Sequence, residues 1–304
     1  SIGAAALIYL GFAIYADYDL LIQSFYNFQI IIIPVLFFLT YLNYVTRFAK
    51  WHYYLRLLEI KISFANSYSI FMSGLTMSIT PGKMGELLKS YMVKQVAGVS
   101  ISKTAPIIIV ERITDFLSLI LLALIGALVY SYGTYIVIAT GIFFILVVVI
   151  ISNRKFSLKL IDKISQLKFV SKFSGNIRSS YESSYEMLKP VPLIKMILLS
   201  LVAWFFECFA FYLILINFNV DVSILWATFA YAFATIAGSI TMLPAGLGVT
   251  EGSLTFLIIQ KGASKNIAVA STFVIRIVTL WFAVFVGVVS LFFYQKKFGK
   301  QLNN

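Results

Sequence analysis

The sequence contains one cysteine, Cys208, and one histidine, His52, in 304 residues. An internal disulfide is excluded, and a zinc site of ordinary ligands has almost nothing to be built from. Charge is also scarce, at 12% of residues, with 12 acidic against 24 basic side chains. No GxxxxGK[ST] nucleotide loop occurs, so an ATP- or GTP-driven machine of that kind is not expected. No cofactor is expected either.

Apolar side chains are abundant. They make up 61% of the chain, and the mean hydropathy is +0.94, far from the mix of a water-soluble domain. Runs at 30–45, 105–130, 135–151, 193–216 and 267–294 approach or exceed the ~20 residues that cross hydrocarbon as a helix. The opening run, 2–16, lacks a basic start and a signal-type cleavage site, and is expected to be a first membrane helix. The expected fold is an all-α polytopic membrane protein with about seven spanning segments, residues 1–304 forming one transmembrane domain.

The basic residues fall between the apolar runs, where retention at the cytoplasmic face and anionic headgroups account for a net charge of +12 without nucleic acid. Arg47, Lys50, Arg56 and Lys61 are expected to follow the second span on that face. Loop 153–192 and the C-terminal tail are expected there too. Within that loop Phe156, Leu160, Ile164, Leu167 and Phe173 recur at helical spacing among lysines, the pattern of an amphipathic helix at headgroup level, with anchoring as its role.

Two segments are apolar but broken. Residues 64–96 carry PGKMGE (Pro81, Gly82, Lys83, Gly85, Glu86), and residues 224–260 carry PAGLGVTEG (Pro244, Gly246, Gly248, Glu251). Each is followed by a helix with an arginine: Arg112 lies 31 positions after Pro81, and Arg276 lies 32 after Pro244. By loop charge the first hairpin enters from the cytoplasm and the second from outside, giving two re-entrant helical hairpins in an inverted repeat. Paired interruptions of this kind point to a transporter site near the midplane. Glycine-rich kinks in full spans are the competing reading.

Five acids fall within apolar segments or at the breaks: Glu86, Glu111, Asp115, Glu207 and Glu251. Arg47, Arg112 and Arg276 accompany them. Each charge costs at least ~2.5 kcal/mol at the bilayer centre, so these groups should face inward and pair. In ERITD, Arg112 is three residues before Asp115, within reach of a local ion pair. Arg276 has no acid within a turn, and Glu207 and Glu251 are its candidate partners. Guanidinium forks bind phosphate oxygens bidentately, so Arg112, Arg276, Lys83 and Arg47 are expected to guide a lipid phosphate while Glu86 and Glu251 gate or carry protons. An internally satisfied structural network fits the same residues.

The combination P-G-K/R-x-G-E, E-R-x-x-D and P-x-G-L-G-x-x-E-G resembles the flippase-like family typified by the transmembrane region of lysylphosphatidylglycerol synthase, which includes UPF0104-type membrane proteins. The resemblance covers nearly the whole chain, with matches at Pro81, Gly82, Gly85, Glu86, Glu111, Arg112, Asp115, Pro244, Gly246, Gly248 and Glu251. It implies movement of a lipid between leaflets of the cell membrane, the cargo being an aminoacylated or other anionic phospholipid or a polyprenyl-phosphate lipid. The synthase domain of the fused relatives does not follow Tyr294 in this sequence, so lysyl transfer is not expected. Two alternatives stay open: an intramembrane lipid-modifying enzyme, for which Glu111 with Asp115 is the close carboxylate pair, and a non-catalytic subunit of a glycosyltransferase system. Expected partners are membrane lipids, protons as coupling ion, and a second copy or a glycosyltransferase.

Overall fold

A computed structural model of the protein describes residues 2–26, 28–130, 133–166 and 171–298, without the side chains at 2–6, 83 and 298. Leu167 therefore lies outside the described residues, as does the side chain of Lys83. All regular structure among the described residues is helical.

Two short helices, α1 (Ile2–Tyr15) and α2 (Tyr18–Tyr26), precede α3 (Ile33–Leu57). Two arms follow, α4 (Phe64–Gly74) and α5 (Leu87–Ala97), separated by 3-10 turns at Leu75–Ile79 and Pro81–Glu86. The long α6 (Ile101–Tyr130) and α7 (Thr134–Ser152) lead to α8 (Arg154–Ser165), α9 (Ser174–Met187) and α10 (Pro190–Asn217). The second pair of arms is α11 (Ile224–Ile240) and α12 (Val249–Gln260), divided at Pro244–Gly246. Then α13 (Lys265–Arg276) runs through five residues of π-helix, Ile277–Trp281, into α14 (Phe282–Phe298).

Among the described residues five helices are long and apolar enough to cross a membrane: Ile30–Leu57, Ile101–Tyr130, Thr134–Ser152, Pro190–Asn217 and Lys265–Lys297. The first run forms a helix over 14 described residues, Ile2–Tyr15. One expectation is corrected at Arg47, Lys50 and Arg56, which do not follow a span. They lie inside α3, which continues to Leu57 because Trp51, Tyr54 and Leu55 are buried against neighbouring helices.

The chain repeats its local geometry. Helix α3 ends with Glu59 in the left-handed region (φ 56°) and the Ile60 N–H donating to the Leu55 carbonyl at 2.9 Å. Helix α10 ends in the same way, with Asn219 at φ 58° and the Val220 N–H donating to the Leu215 carbonyl at 2.9 Å. These bonds satisfy carbonyls that a helix end leaves open. A serine then starts each next arm: Ser63 Oγ accepts from the Asn66 N–H, and Ser223 Oγ from the Trp226 N–H, supplying the acceptor that first-turn N–H groups lack. The second arms close alike, on Gly98 (φ 69°) and Gly262 (φ 98°).

Each pair of arms folds back on itself, α4 along α5 and α11 along α12. The halves then pack crosswise. Helix α6 of the first half carries α11 of the second, while α14 carries α4 and the turn after it, and α3 lies along α10. The two Pro/Gly breaks touch each other. At Gly287 the approach is so close that an added Cβ would stand 2.1 Å from the Thr76 nitrogen. Two large clusters of buried apolar side chains result, with a small third one around Leu247 and Leu280. One centres on α10, α11 and α12, the other on α3, α4 and α5.

Candidate functional site

A cavity of about 360 Å³ is lined from both clusters and from both breaks. Tyr44 and Arg47 reach it from α3, Arg112 and Asp115 from α6, Glu207 from α10, and Arg276 from α13. Ser78, just before the first break, and Gly246, within the second, complete the contact with the broken segments. Five of the nine side chains expected to bind or gate therefore line one space.

The charges are arranged in two networks. In the first, Arg112 Nη2 donates to Glu86 Oε1 and stands 3.9 Å from Asp115 Oδ2. The local ERITD pair is therefore the looser contact, and the glutamate behind the break is the closer partner. Glu111 points elsewhere and accepts from Lys89 Nζ at 2.9 Å. Lys89 also approaches Glu86 Oε2 at 3.3 Å and lies 4.7 Å above the Trp51 ring. Asp115 Oδ1 accepts from Lys50 Nζ at 2.5 Å and from Ser200 Oγ at 3.0 Å. Arg47 Nη2 stands 3.9 Å from Asp115 Oδ2, beyond hydrogen-bond length. Among these seven groups four cations, Arg47, Lys50, Lys89 and Arg112, face three carboxylates, Glu86, Glu111 and Asp115, leaving one positive charge in excess.

In the second network Arg276 Nε donates to Glu251 Oε1 at 2.7 Å, and its Nη2 donates to the Ala245 carbonyl at 2.8 Å. Ala245 holds that carbonyl in place from the left-handed region, at φ 53°, a position costly for a residue with a Cβ and typical of functional segments. Glu251 Oε2 accepts from the Gly248 N–H at 2.7 Å, so one carboxylate both caps α12 and holds the arginine. Tyr9 donates to Glu251 Oε1 at 3.3 Å. Glu207 accepts from the Tyr231 hydroxyl at 2.7 Å. The π-turn directly after Arg276 is the kind of irregularity that recurs at functional sites.

The two networks match. In each half the glutamate just behind the Pro/Gly break takes the arginine of the next helix, Glu86 with Arg112 and Glu251 with Arg276. Sequence reasoning passed over Lys50, Lys89, Tyr9 and Tyr231. Lysines near apparent loops read as interfacial charge, yet Lys50 and Lys89 are 1% and 2% exposed. The signal that singles them out is their spacing to buried carboxylates, visible only once α3 and α5 are packed on α6.

The chain shares this architecture's sequence pattern with known proteins. It is 24% identical over 238 residues to a UPF0104 membrane protein of Methanocaldococcus jannaschii, covering 75% of this chain and 97% of that one. It is 23% identical over 282 residues to one of Methanothermobacter thermautotrophicus, covering 83% and 82% of the two chains. A UPF0104 membrane protein of Pyrococcus horikoshii is 24% identical over 266 residues, 78% of this chain and 79% of the relative. The model of the lysylphosphatidylglycerol synthase TM region matches residues 2–287, and with its apolar helices and its paired breaks the chain belongs to that family of membrane proteins.

Proposed function

We propose that this protein moves an anionic lipid between membrane leaflets, its phosphate-bearing headgroup passing through the cavity between the two broken hairpins. The observation that carries this reading is the convergence of Arg47, Arg112 and Arg276 on one space walled by both breaks. Guanidinium groups suit phosphate oxygens geometrically. Frayed helix ends inside a membrane are tolerated where they line a polar cavity, and they add partial positive charge to it. In this reading the crosswise packing of two halves with the same local turns reflects an inverted repeat, the hairpins re-enter from opposite faces of the cell membrane, and the break contact is where access alternates. The lysine-rich segment 153–192 and the C-terminal tail lie at the cytoplasmic face. The protein acts as a transporter rather than an enzyme, without a nucleotide or metal.

The test is leaflet exchange of labelled phosphatidylglycerol in vesicles holding the purified protein. Arg112→Ala and Arg276→Ala each remove a charge-assisted contact worth about 1.5–3 kcal/mol, so exchange should slow by about 10-fold or more. Arg154→Ala, which breaks the exposed pair with Glu182 far from the cavity, should leave it unchanged. Exchange no faster than in protein-free vesicles removes the proposal for this lipid class.

A further inference from the structure

Of the carboxylates around the cavity, four are held by a cation at hydrogen-bond distance: Glu86 by Arg112, Glu111 by Lys89, Asp115 by Lys50 and Glu251 by Arg276. Arginine and lysine are donors only. A carboxyl that gained a proton there would lose its charge and leave a buried cation uncompensated, at a cost of several kcal/mol. The expectation that Glu86 and Glu251 carry protons therefore fits their surroundings poorly. Glu251 is the least suited, since both its oxygens accept bonds, one from Arg276 and one from the Gly248 N–H.

Glu207 has a phenol among its partners. It lines the cavity, is 7% exposed, and accepts from the Tyr231 hydroxyl at 2.7 Å. A phenol hydroxyl both donates and accepts. When the carboxylate is charged the hydroxyl donates to it; when the carboxyl is protonated the hydroxyl can rotate and accept its proton. The contact survives either state without moving a helix. Tyr44 and Arg47 on α3, Cys208 beside it on α10 and Tyr231 on α11 are close enough to act on Glu207, and Arg112 and Asp115 on α6 and Arg276 on α13 line the same cavity.

We infer that Glu207 binds a proton when an anionic headgroup enters the cavity, so that lipid binding and proton uptake are linked at this side chain. This rests on the headgroup reading above and supplies its coupling ion. A phosphate drawn to Arg47, Arg112 and Arg276 brings negative charge into the cavity that Glu207 lines and competes with its carboxylate for Arg47. A proton from the cavity water, taken onto the carboxylate oxygen that faces Tyr231 or its twin, relieves that repulsion. Linkage is reciprocal: if the headgroup favours the proton, the proton favours the headgroup by the same factor.

The experiment is calorimetric titration of the detergent-solubilised full chain with short-chain phosphatidylglycerol, in two buffers of different ionisation enthalpy, across pH 6 to 8. The wild type should take up protons on binding, and its affinity should fall as pH rises, by up to about tenfold per pH unit, the limit for one linked proton. Glu207→Gln keeps an acceptor for Tyr231 and should bind with no net proton uptake and no pH slope. Tyr231→Phe, which removes the two-way partner, should reduce the uptake. Binding by Glu207→Gln with undiminished proton uptake overturns the inference and leaves the headgroup reading standing. Failure of the wild type to bind the probe overturns both.

Discussion

At the residue scale the site is a set of charges that only make sense together. Lys50 shows why. Its ammonium is enclosed by Asp115, Ser200, Thr114 and the Glu111 carbonyl, at 2.5 to 3.3 Å. Such a pair adds little over an apolar substitute, because desolvation offsets the attraction, but removing one partner strands the other. Lys50→Met should therefore destabilise the protein by about 3–5 kcal/mol, seen as a lower thermal midpoint in detergent. Lys50→Met combined with Asp115→Leu should recover much of that loss. A single variant as stable as wild type would mean that water reaches Asp115. The sequence made Asp115 legible as a buried acid, since an aspartate inside an apolar run must be compensated. Its partner was not legible, because a lysine 65 positions earlier is indistinguishable from an interfacial lysine until the helices are packed.

At the element scale the long apolar helices and both breaks could be read from hydropathy and from proline beside glycine. The ends of the elements could not. Helix α9 is rich in serine and reads as loop, yet it packs along α6, with Ser180 Oγ donating to the Ser102 carbonyl and Tyr181 donating to the Ile151 carbonyl. The joint between α14 and the first break was equally hidden, since Gly287 sits in an apolar stretch with nothing to mark it. There the contact is backbone to backbone. An added Cβ would lie 2.1 Å from the Thr76 nitrogen and 2.7 Å from the Thr76 Cα and the Leu75 carbonyl carbon. Gly287→Ala should push α14 off the turn, costing about 1–3 kcal/mol as overpacking does, and should slow lipid exchange. Gly175→Ala in α9 has nothing within 4 Å of the new carbon, and should stabilise that helix by roughly 0.5–1 kcal/mol. Equal midpoints for the two variants would count against the close approach at α14.

At the scale of the whole molecule the glutamate–arginine pairs of the two halves belong to breaks that touch each other. That contact makes them either one device or two independent supports, and the difference can be measured. Distant, independent sites have additive effects, whereas groups that act as a unit do not. If each pair merely braces its own hairpin, Glu86→Gln and Glu251→Gln should each slow phosphatidylglycerol exchange, and the double variant should be slowed by the product of the two factors. If the breaks move against one another as a single gate, loosening either end already disables the motion, and the second change has little left to remove. The crosswise packing, in which α6 carries the second hairpin and α14 the first, favours the single gate, because no hairpin can shift without the long helix of the other half. The double variant is therefore expected to exchange lipid about as slowly as the slower single one, with thermal midpoints recorded beside each rate so that loss of folding is not read as loss of motion. A fully multiplicative double, at matched stability, would mean that the two halves work separately and that the touching breaks are a packing contact alone.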